Sequence, residues 1–250
     1  MTQFNNQVVL ITGGGAGIGL SAASKFSEKG AQVVITGRRA AALERAVGTK
    51  PNIDYIVADA GKPSDALPTI DETIRRYGRL DVLVNNAGAG AISPLSQATF
   101  TQISDIFAVN VIGPSLLATA ALPYLKRFNG SIVNVSSTFG HKAAGTLSHY
   151  AASKAALEHM TRCWALELAH DGIRVNAVSA GPTESDFLAE RMMLTPEQIE
   201  SIKSDERARI PLGRRGIPED VAGWIVALAS SDAGWITGQI FTVDGGLSVT

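Results

Sequence analysis

A single cysteine, Cys163, in 250 residues rules out an intrachain disulfide and a thiolate metal centre. It falls in an apolar helical segment, so a buried core position is expected for it. Charged residues are 18% of the chain and balance to a formal net charge of -1, with no block of one sign. That leaves no electrostatic footprint for nucleic acid or an anionic membrane surface. No apolar run approaches the ~20 residues a membrane helix needs, and no membrane partner is expected. The opening MTQFNNQ lacks the basic and apolar regions of a secretory signal, so a cytoplasmic protein is expected. The four histidines, His141, His149, His159 and His170, show no metal-ligand spacing, and no metal site is expected. What remains is a chain with 45% hydrophobic residues and 25 glycines, long enough for one α/β domain over 1–250.

The stretch YAASK, from Tyr150 to Lys154, opens a long apolar-periodic segment. On a helix that spacing sets a phenol and an ammonium on one face, about one turn apart. A free tyrosine has a pKa of about 10, and a cation within ~4–6 Å lowers it, which suits proton exchange with an oxygen that is changing charge. The same spacing also suits a solvated helix face, so the rest of the chain has to decide.

Val8–Ile11 is a β-branched run that ends in TGGGAGIG, Thr12 to Gly19, and passes into a helix-like segment from Leu20 to Lys29. Strand, glycine turn and helix point free backbone N–H groups at a phosphate. The spacing Gly13-x-x-x-Gly17-x-Gly19 departs from the common dinucleotide pattern. Gly30 closes the helix, and a second strand follows over 31–36. An NAD site places an acid about 20 residues past the glycines to hold the ribose. Here the strand ends in Gly37, Arg38 and Arg39, with no acid. A guanidinium there suits a 2′-phosphate, which favours NADP(H) over NAD(H), with Arg38 the first choice and Arg39 the second. Solvated arginines opening a helix are the plain alternative.

The pattern repeats, with a strand over 53–57 leading to Asp59, a helix over 66–77, and a strand over 80–84 running into Asn85, Asn86, Ala87 and Gly88. Alternating strands and helices predict a doubly wound, mostly parallel sheet with helices on both faces, and ligands beyond the carboxyl ends of the strands. Thr12, Asp59 and Asn86 should share that edge. Asn110 sits inside a helical stretch over 99–128, where an asparagine among apolar neighbours is usually satisfied by backbone. The strand over 130–137 ends in two hydroxyls, Ser136 and Ser137. Further strands are expected over 173–178 and 239–243, and a helix over 218–230. Residues 184–212 are poorly patterned and read as a largely apolar substrate lid, with Phe187, Leu188, Met192 and Met193 turned to a pocket.

Taken in order, these residues and the later Arg174, Val175, Asn176 and Asp244, Gly245, Gly246 resemble the short-chain dehydrogenase/reductase family over essentially the whole length. The resemblance implies a seven-stranded Rossmann fold in a single domain, and hydride transfer between a nicotinamide and a carbonyl or secondary alcohol. It implies Ser137 as the catalytic serine, thirteen residues before the tyrosine, Tyr150 as general acid/base, and Lys154 as the group that lowers its pKa and holds the nicotinamide ribose. Asn110 would hold a water in a proton path. Cofactor contacts implied are Thr12, Gly13, Gly15, Gly17, Ile18 and Gly19 in the turn, Asp59 at the adenine amino group, Asn86, Ala87 and Gly88 beside the adenosine, Tyr150 together with Lys154, and Gly181, Thr183 and Ser185 near the carboxamide and pyrophosphate. Where the family usually reads Pro-Gly, this chain reads Ala180-Gly181-Pro182, which puts the stiffness of that turn at issue. A homotetramer is implied as well. A 3-oxoacyl-[acyl-carrier-protein] reductase is the first alternative, weakened by Asp171 where an acidic carrier favours basic residues, and a non-catalytic NADP(H) sensor is the second.

Overall fold

The computed structural model describes residues 3–50, 52–190, 192 and 194–250. In chain order the elements are β1 (Val8–Thr12), α1 (Gly17–Glu28), β2 (Gln32–Gly37), α2 (Ala40–Val47), β3 (Ile53–Val57), α3 (Pro63–Tyr77) and β4 (Val82–Asn85). Then come α4 (Phe100–Phe107), a π-helical turn (Ala108–Ile112), α5 (Gly113–Arg127), β5 (Ser131–Ser137), α6 (Ser148–Leu168) and β6 (Arg174–Ala180). The chain closes with α7 (Phe187–Glu190), α8 (Pro196–Arg209), α9 (Pro218–Ala229) and β7 (Ile240–Val243).

The seven strands form one sheet in the order β3-β2-β1-β4-β5-β6-β7, and every neighbouring pair is parallel. The central strands are near-continuous runs of Val, Ile and Leu because helices bury both of their faces. Side chains alternate between those faces. On β1, Val9 and Ile11 join Phe26 of α1 and Val226 of α9, while Val8 and Leu10 join Ile70 of α3, Leu125 of α5 and Leu168 of α6. The chain order reverses at β1 and β4, so a crevice opens beyond their carboxyl ends.

Local chemistry sets the element ends. Helix α3 begins at Pro63, earlier than periodicity predicts, because proline pre-sets the first helical φ and Asp65 in the first turn suits the dipole. It stops at Gly78, whose φ of +71 only glycine takes readily. Arg174 donates to the carbonyls of Leu228, Ser230 and Ala229 at 2.7, 3.0 and 3.2 Å, satisfying the end of α9 that the helix itself leaves open. A buried relay from Asn85 through Asn134 to Thr161, 2.9 Å at each step, ties α6 to β4 and β5.

Two expectations need correction. Phe100–Arg127 runs as 28 helical residues, and an 18-residue window within it has a mean hydropathy of 1.7, so one stretch is long and apolar enough to cross a membrane. Packing accounts for part of that composition, since Leu117, Ala118, Ala121 and Leu125 fill the core beside α3 and the sheet, while Phe100, Ile112 and Leu116 are exposed. Cys163 is exposed rather than buried. Helix α6 buries the stripe Tyr150, Ser153, Lys154, Leu157, Glu158, Thr161, Ala165 and Leu168, and the apolar residues around Cys163 include Leu166, 84% exposed on the outer face. The buried stripe is thus partly polar, and apolar content near Cys163 did not mark the inward side.

Candidate active site

The strand ends border a cavity of about 770 Å³. Its wall includes Gly13, Gly15, Gly17 and Ile18 from the turn after β1, Arg38 and Arg39 after β2, Asn86, Ala87 and Gly88 after β4, and Ser137, Tyr150 and Lys154. Gly181, Thr183 and Ser185 lie on the same wall. The glycines there follow from geometry. Gly13 and Gly17 have φ of +66 and +53, and a Cβ on Gly19 would stand 2.5 Å from both Asn86 Nδ2 and Gly13 O. No side chain caps α1 at Ala16, so its first N–H groups keep their capacity for an anion. A cradle with open glycines, an uncapped helix start and a neighbouring guanidinium fits a dinucleotide phosphate.

Thr12 serves this turn from behind. Its Oγ1 accepts from the backbone N–H groups of Asn86 and Ala87, each at 3.0 Å, while Asn86 Nδ2 donates to Thr12 O at 2.8 Å and Gly13 O at 3.1 Å. Asp59 and Thr12 border a separate cleft of about 10 Å³, and the Asp59 carboxylate accepts from Gly61 N at 2.9 Å. Of the two arginines, Arg39 is held by Glu190 of α7 at 2.7 Å. Arg38 is exposed on the cavity wall and has no recorded partner among the described residues.

Tyr150 and Lys154 project from the buried face of α6, 8% and 3% exposed. The Tyr150 hydroxyl lies close enough to Ser137 to feel it, whereas the Ser136 hydroxyl on the other side of β5 donates to Glu158 at 2.8 Å. Burial pushes the phenol above its ordinary value, and the neighbouring Ser137 hydroxyl pulls against it. Lys154, one helical turn further on, spends its hydrogen bond elsewhere in this structure. The ammonium donates instead to Val135 O at 2.8 Å, and its own burial lowers it from 10.5 to about 8, with Glu158 opposing. Asn110 is fully buried in the π-helical turn, accepting from Ala89 N at 2.9 Å and donating to Ala89 O at 2.8 Å and Ser153 Oγ at 2.9 Å. Backbone and Ser153 therefore meet most of its capacity.

Lys154 makes stability depend on pH. Between its folded value near 8 and its ordinary 10.5, the unfolded chain binds the extra proton, so stability rises with pH across that window. Below pH 8 both states are protonated and the full penalty, on the order of 3 kcal/mol, is present. In urea unfolding at pH 7 to 10, Lys154→Met should be the more stable protein at pH 7, and its lead should shrink toward pH 10. A lead that stays constant over this range contradicts the assignment.

The Ala180-Gly181-Pro182 turn is firm without the usual proline. Gly181 N donates to Val243 O at 2.9 Å, Gly216 N to Pro182 O at 2.9 Å, and Glu184 N to Gly216 O at 2.8 Å. A Cβ on Gly181 would stand 2.5 Å from Asp244 Cα. Phe187, Leu188 and Met192 line the cavity, with the Phe187 ring 6.3 Å from that of Tyr150; Met193 lies outside the described residues. The expectation of a largely apolar segment covers only this first part. Helix α8, opened by a capping box between Thr195 and Gln198, turns Ser201, Asp205, Glu206 and Arg209 to the cavity along with the one apolar residue Ile202. His141 and His149 are not among the wall residues; His141 faces Glu158.

Two buried charges escape sequence patterns. Arg215, 5% exposed, donates to Thr183 O at 2.7 Å and pairs with Glu184 at 3.1 Å and with Glu206 of α8. It stands beside a second arginine in a loop, and nothing local marks it as buried. Glu158 is four residues after Lys154, and that spacing is the one signal that could have found it.

A family profile described as enoyl-(acyl carrier protein) reductase matches residues 13–248. An uncharacterized oxidoreductase of Thermotoga maritima is 39% identical, over 97% of this chain and 98% of its own. L-fucose dehydrogenase of Bos taurus is 36% identical over 98% and 90%, and a 3-oxoacyl-[acyl-carrier-protein] reductase of Thermotoga maritima is 36% identical over 99% and 100%. The crystal structure of a short-chain dehydrogenase/reductase of unknown function from Caenorhabditis elegans, solved with cofactor, matches with TM-score 0.92 and 33% identity, covering 99% of this chain and 97% of that one. With the parallel sheet, the glycine turn and the Ser137, Tyr150 and Lys154 cluster, these likenesses make the chain a member of the short-chain dehydrogenase/reductase family of oxidoreductases.

Proposed function

We propose that the protein is an NADP(H)-dependent oxidoreductase that interconverts a carbonyl and a secondary alcohol. The observation that carries this reading is that Ser137, Tyr150 and Lys154 share one cavity wall with the glycine turn and with Arg38, whose guanidinium has no partner among the described residues. The nicotinamide cofactor supplies or takes up the hydride when bound. The turn glycines Gly13, Gly15, Gly17 and Gly19 with Ile18, and Asn86, Ala87 and Gly88, would hold its adenosine and phosphates. Arg38 takes the 2′-phosphate, with Arg39 second to it. Asp59 is the adenine contact in this reading, reached from the rim of its separate cleft, while Gly181, Thr183 and Ser185 serve the carboxamide side.

Ser137 would donate a hydrogen bond to the substrate oxygen as it gains negative charge, a preorganised donor of the oxyanion type. Tyr150, beside Ser137, passes the proton to that oxygen. A ribose drawn to Lys154 would replace Val135 O as a partner of the ammonium, and its charge then favours the phenolate that Tyr150 leaves behind. Asn110 orders Ala89 and Ser153 and stands ready for a water on its remaining lone pair. Ile92, Phe139, Leu147, Phe187 and Met192 flank the reacting end, which suits an apolar substrate under a lid spanning about 184–212.

Exposed Leu95, Phe100, Ile112, Leu116 and Leu166 fit self-association, and a homotetramer in the cytoplasm belongs to the same proposal. A 3-oxoacyl-[acyl-carrier-protein] reductase is the second reading, supported by whole-length likeness to the Thermotoga maritima protein of that name. Lys126 is paired with Asp171, which removes one cation from a carrier's reach and weighs against it. The test is NADPH oxidation, followed at its nicotinamide absorbance, with a panel of ketones, diketones and acyl thioesters. Turnover on apolar ketones with NADPH preferred over NADH is expected. Tight NADPH binding without turnover on any member would favour the sensor instead.

A further inference from the structure

Glu158 lies in the middle of α6 at 4% exposure, and none of the steps above uses it. A carboxylate withdrawn from water needs partners to stay ionised. Its Oε1 accepts from Ser136 Oγ at 2.8 Å and lies 3.4 Å from His141 Nδ1. Ser136 Oγ also lies 3.4 Å from the backbone carbonyl of Lys154. The loop is shaped around this carboxylate, since a Cβ on Gly140 would stand 2.7 Å from the same oxygen and 3.2 Å from Ser136 Oγ. Among the described residues, the titratable groups that face Glu158 are His141, from the loop after β5, and Lys154, one turn earlier on its own helix. Strand β5 contributes only the neutral Ser136. Lys154 in turn spends its hydrogen bond on a neutral carbonyl, so Glu158 is the anion whose field it feels.

We propose that Glu158 is a positioning residue for the Ser137, Tyr150 and Lys154 site: through Ser136 it fastens the strand end that carries Ser137 to α6, and it sets a negative charge one turn from Lys154. What this does to turnover rests on the oxidoreductase reading; the contacts do not. The two actions are separable. Neighbouring residues of a strand point to opposite faces, so anchoring Ser136 fixes the direction from which Ser137 meets Tyr150. A unit charge about one helical turn away moves a titration by on the order of one unit at a protein-like effective dielectric.

Glu158→Gln keeps an acceptor for Ser136 and removes the charge, whereas Ser136→Ala keeps the charge and removes the bond. The titration of Lys154 is followed by ¹³C NMR of lysine-labelled protein, its signal identified by its disappearance in Lys154→Met, and turnover with NADPH is recorded against pH. Glu158→Gln should move both the Lys154 titration and the upper limb of the kcat profile down by on the order of one pH unit, with NADPH affinity and melting temperature near wild type. Ser136→Ala should leave the limb in place and lower kcat roughly 5- to 10-fold with KM little changed. An unmoved Lys154 titration in Glu158→Gln overturns the inference, as does a Ser136→Ala kcat within twofold of wild type. Should Glu158→Gln fail to fold, Ser136→Ala decides alone by the same limit. A wild type inactive on every carbonyl counts against the oxidoreductase reading, and the Lys154 titration still judges this one.

Discussion

Tyr150→Phe is expected to lower turnover by roughly 10²- to 10⁴-fold, the range general acid/base groups contribute, while NADPH binds about as well as to wild type. The separation follows from the geometry. Phenylalanine keeps the ring that packs 6.3 Å from Phe187 and loses only the hydroxyl beside Ser137. Removing one neutral hydrogen bond at a buried pair costs about 1 kcal/mol of stability, so the variant should remain folded. The glycine turn, Arg38 and Lys154 are untouched, and they are the groups assigned to the cofactor. Steady-state kcat together with NADPH fluorescence titration reads both quantities. Turnover equal to wild type would take Tyr150 out of the chemistry, and a parallel loss of NADPH affinity would make it a binding group instead.

Arg38→Ala should weaken NADPH by roughly 10- to 100-fold and NADH only slightly, because a charge-assisted bond to a 2′-phosphate contributes about 1.5–3 kcal/mol. The structure ranks the two arginines on a ground the sequence does not contain. Arg39 is engaged by Glu190 at 2.7 Å, whereas Arg38 has no recorded partner among the described residues, so Arg39→Ala should produce the smaller change. Calorimetric titration of both cofactors against the two variants measures this directly. Equal losses for NADPH and NADH in Arg38→Ala would mean the guanidinium does not read the phosphate.

Much of the architecture was legible because it depends on local rules. Buried parallel strands read as β-branched runs, and the turn from Thr12 to Gly19 needs glycine where φ is positive or where backbone and Asn86 crowd a Cβ. The pairing of Tyr150 with Lys154 on one helix face followed from spacing alone. What stayed hidden depends on long-range packing. The apolar residues around Cys163 made it look inward when it lies outside, because the buried stripe of α6 is partly polar. Lys154 was placed on the right face, yet its partner in this state is a β5 carbonyl that no spacing within the helix reveals. Residues 184–212 looked unpatterned because α8 presents charges to both the solvent and the cavity, and Arg215, which holds it, comes from a different segment.

The most direct test of the account is a crystal structure of the protein soaked with NADP⁺. The account predicts the nicotinamide beside Ser137 and Tyr150, the pyrophosphate on the turn at Gly13 to Gly19, and the 2′-phosphate against Arg38. A dinucleotide lying elsewhere, or one bound with the Tyr150 hydroxyl turned away from the open face of the ring, would contradict it.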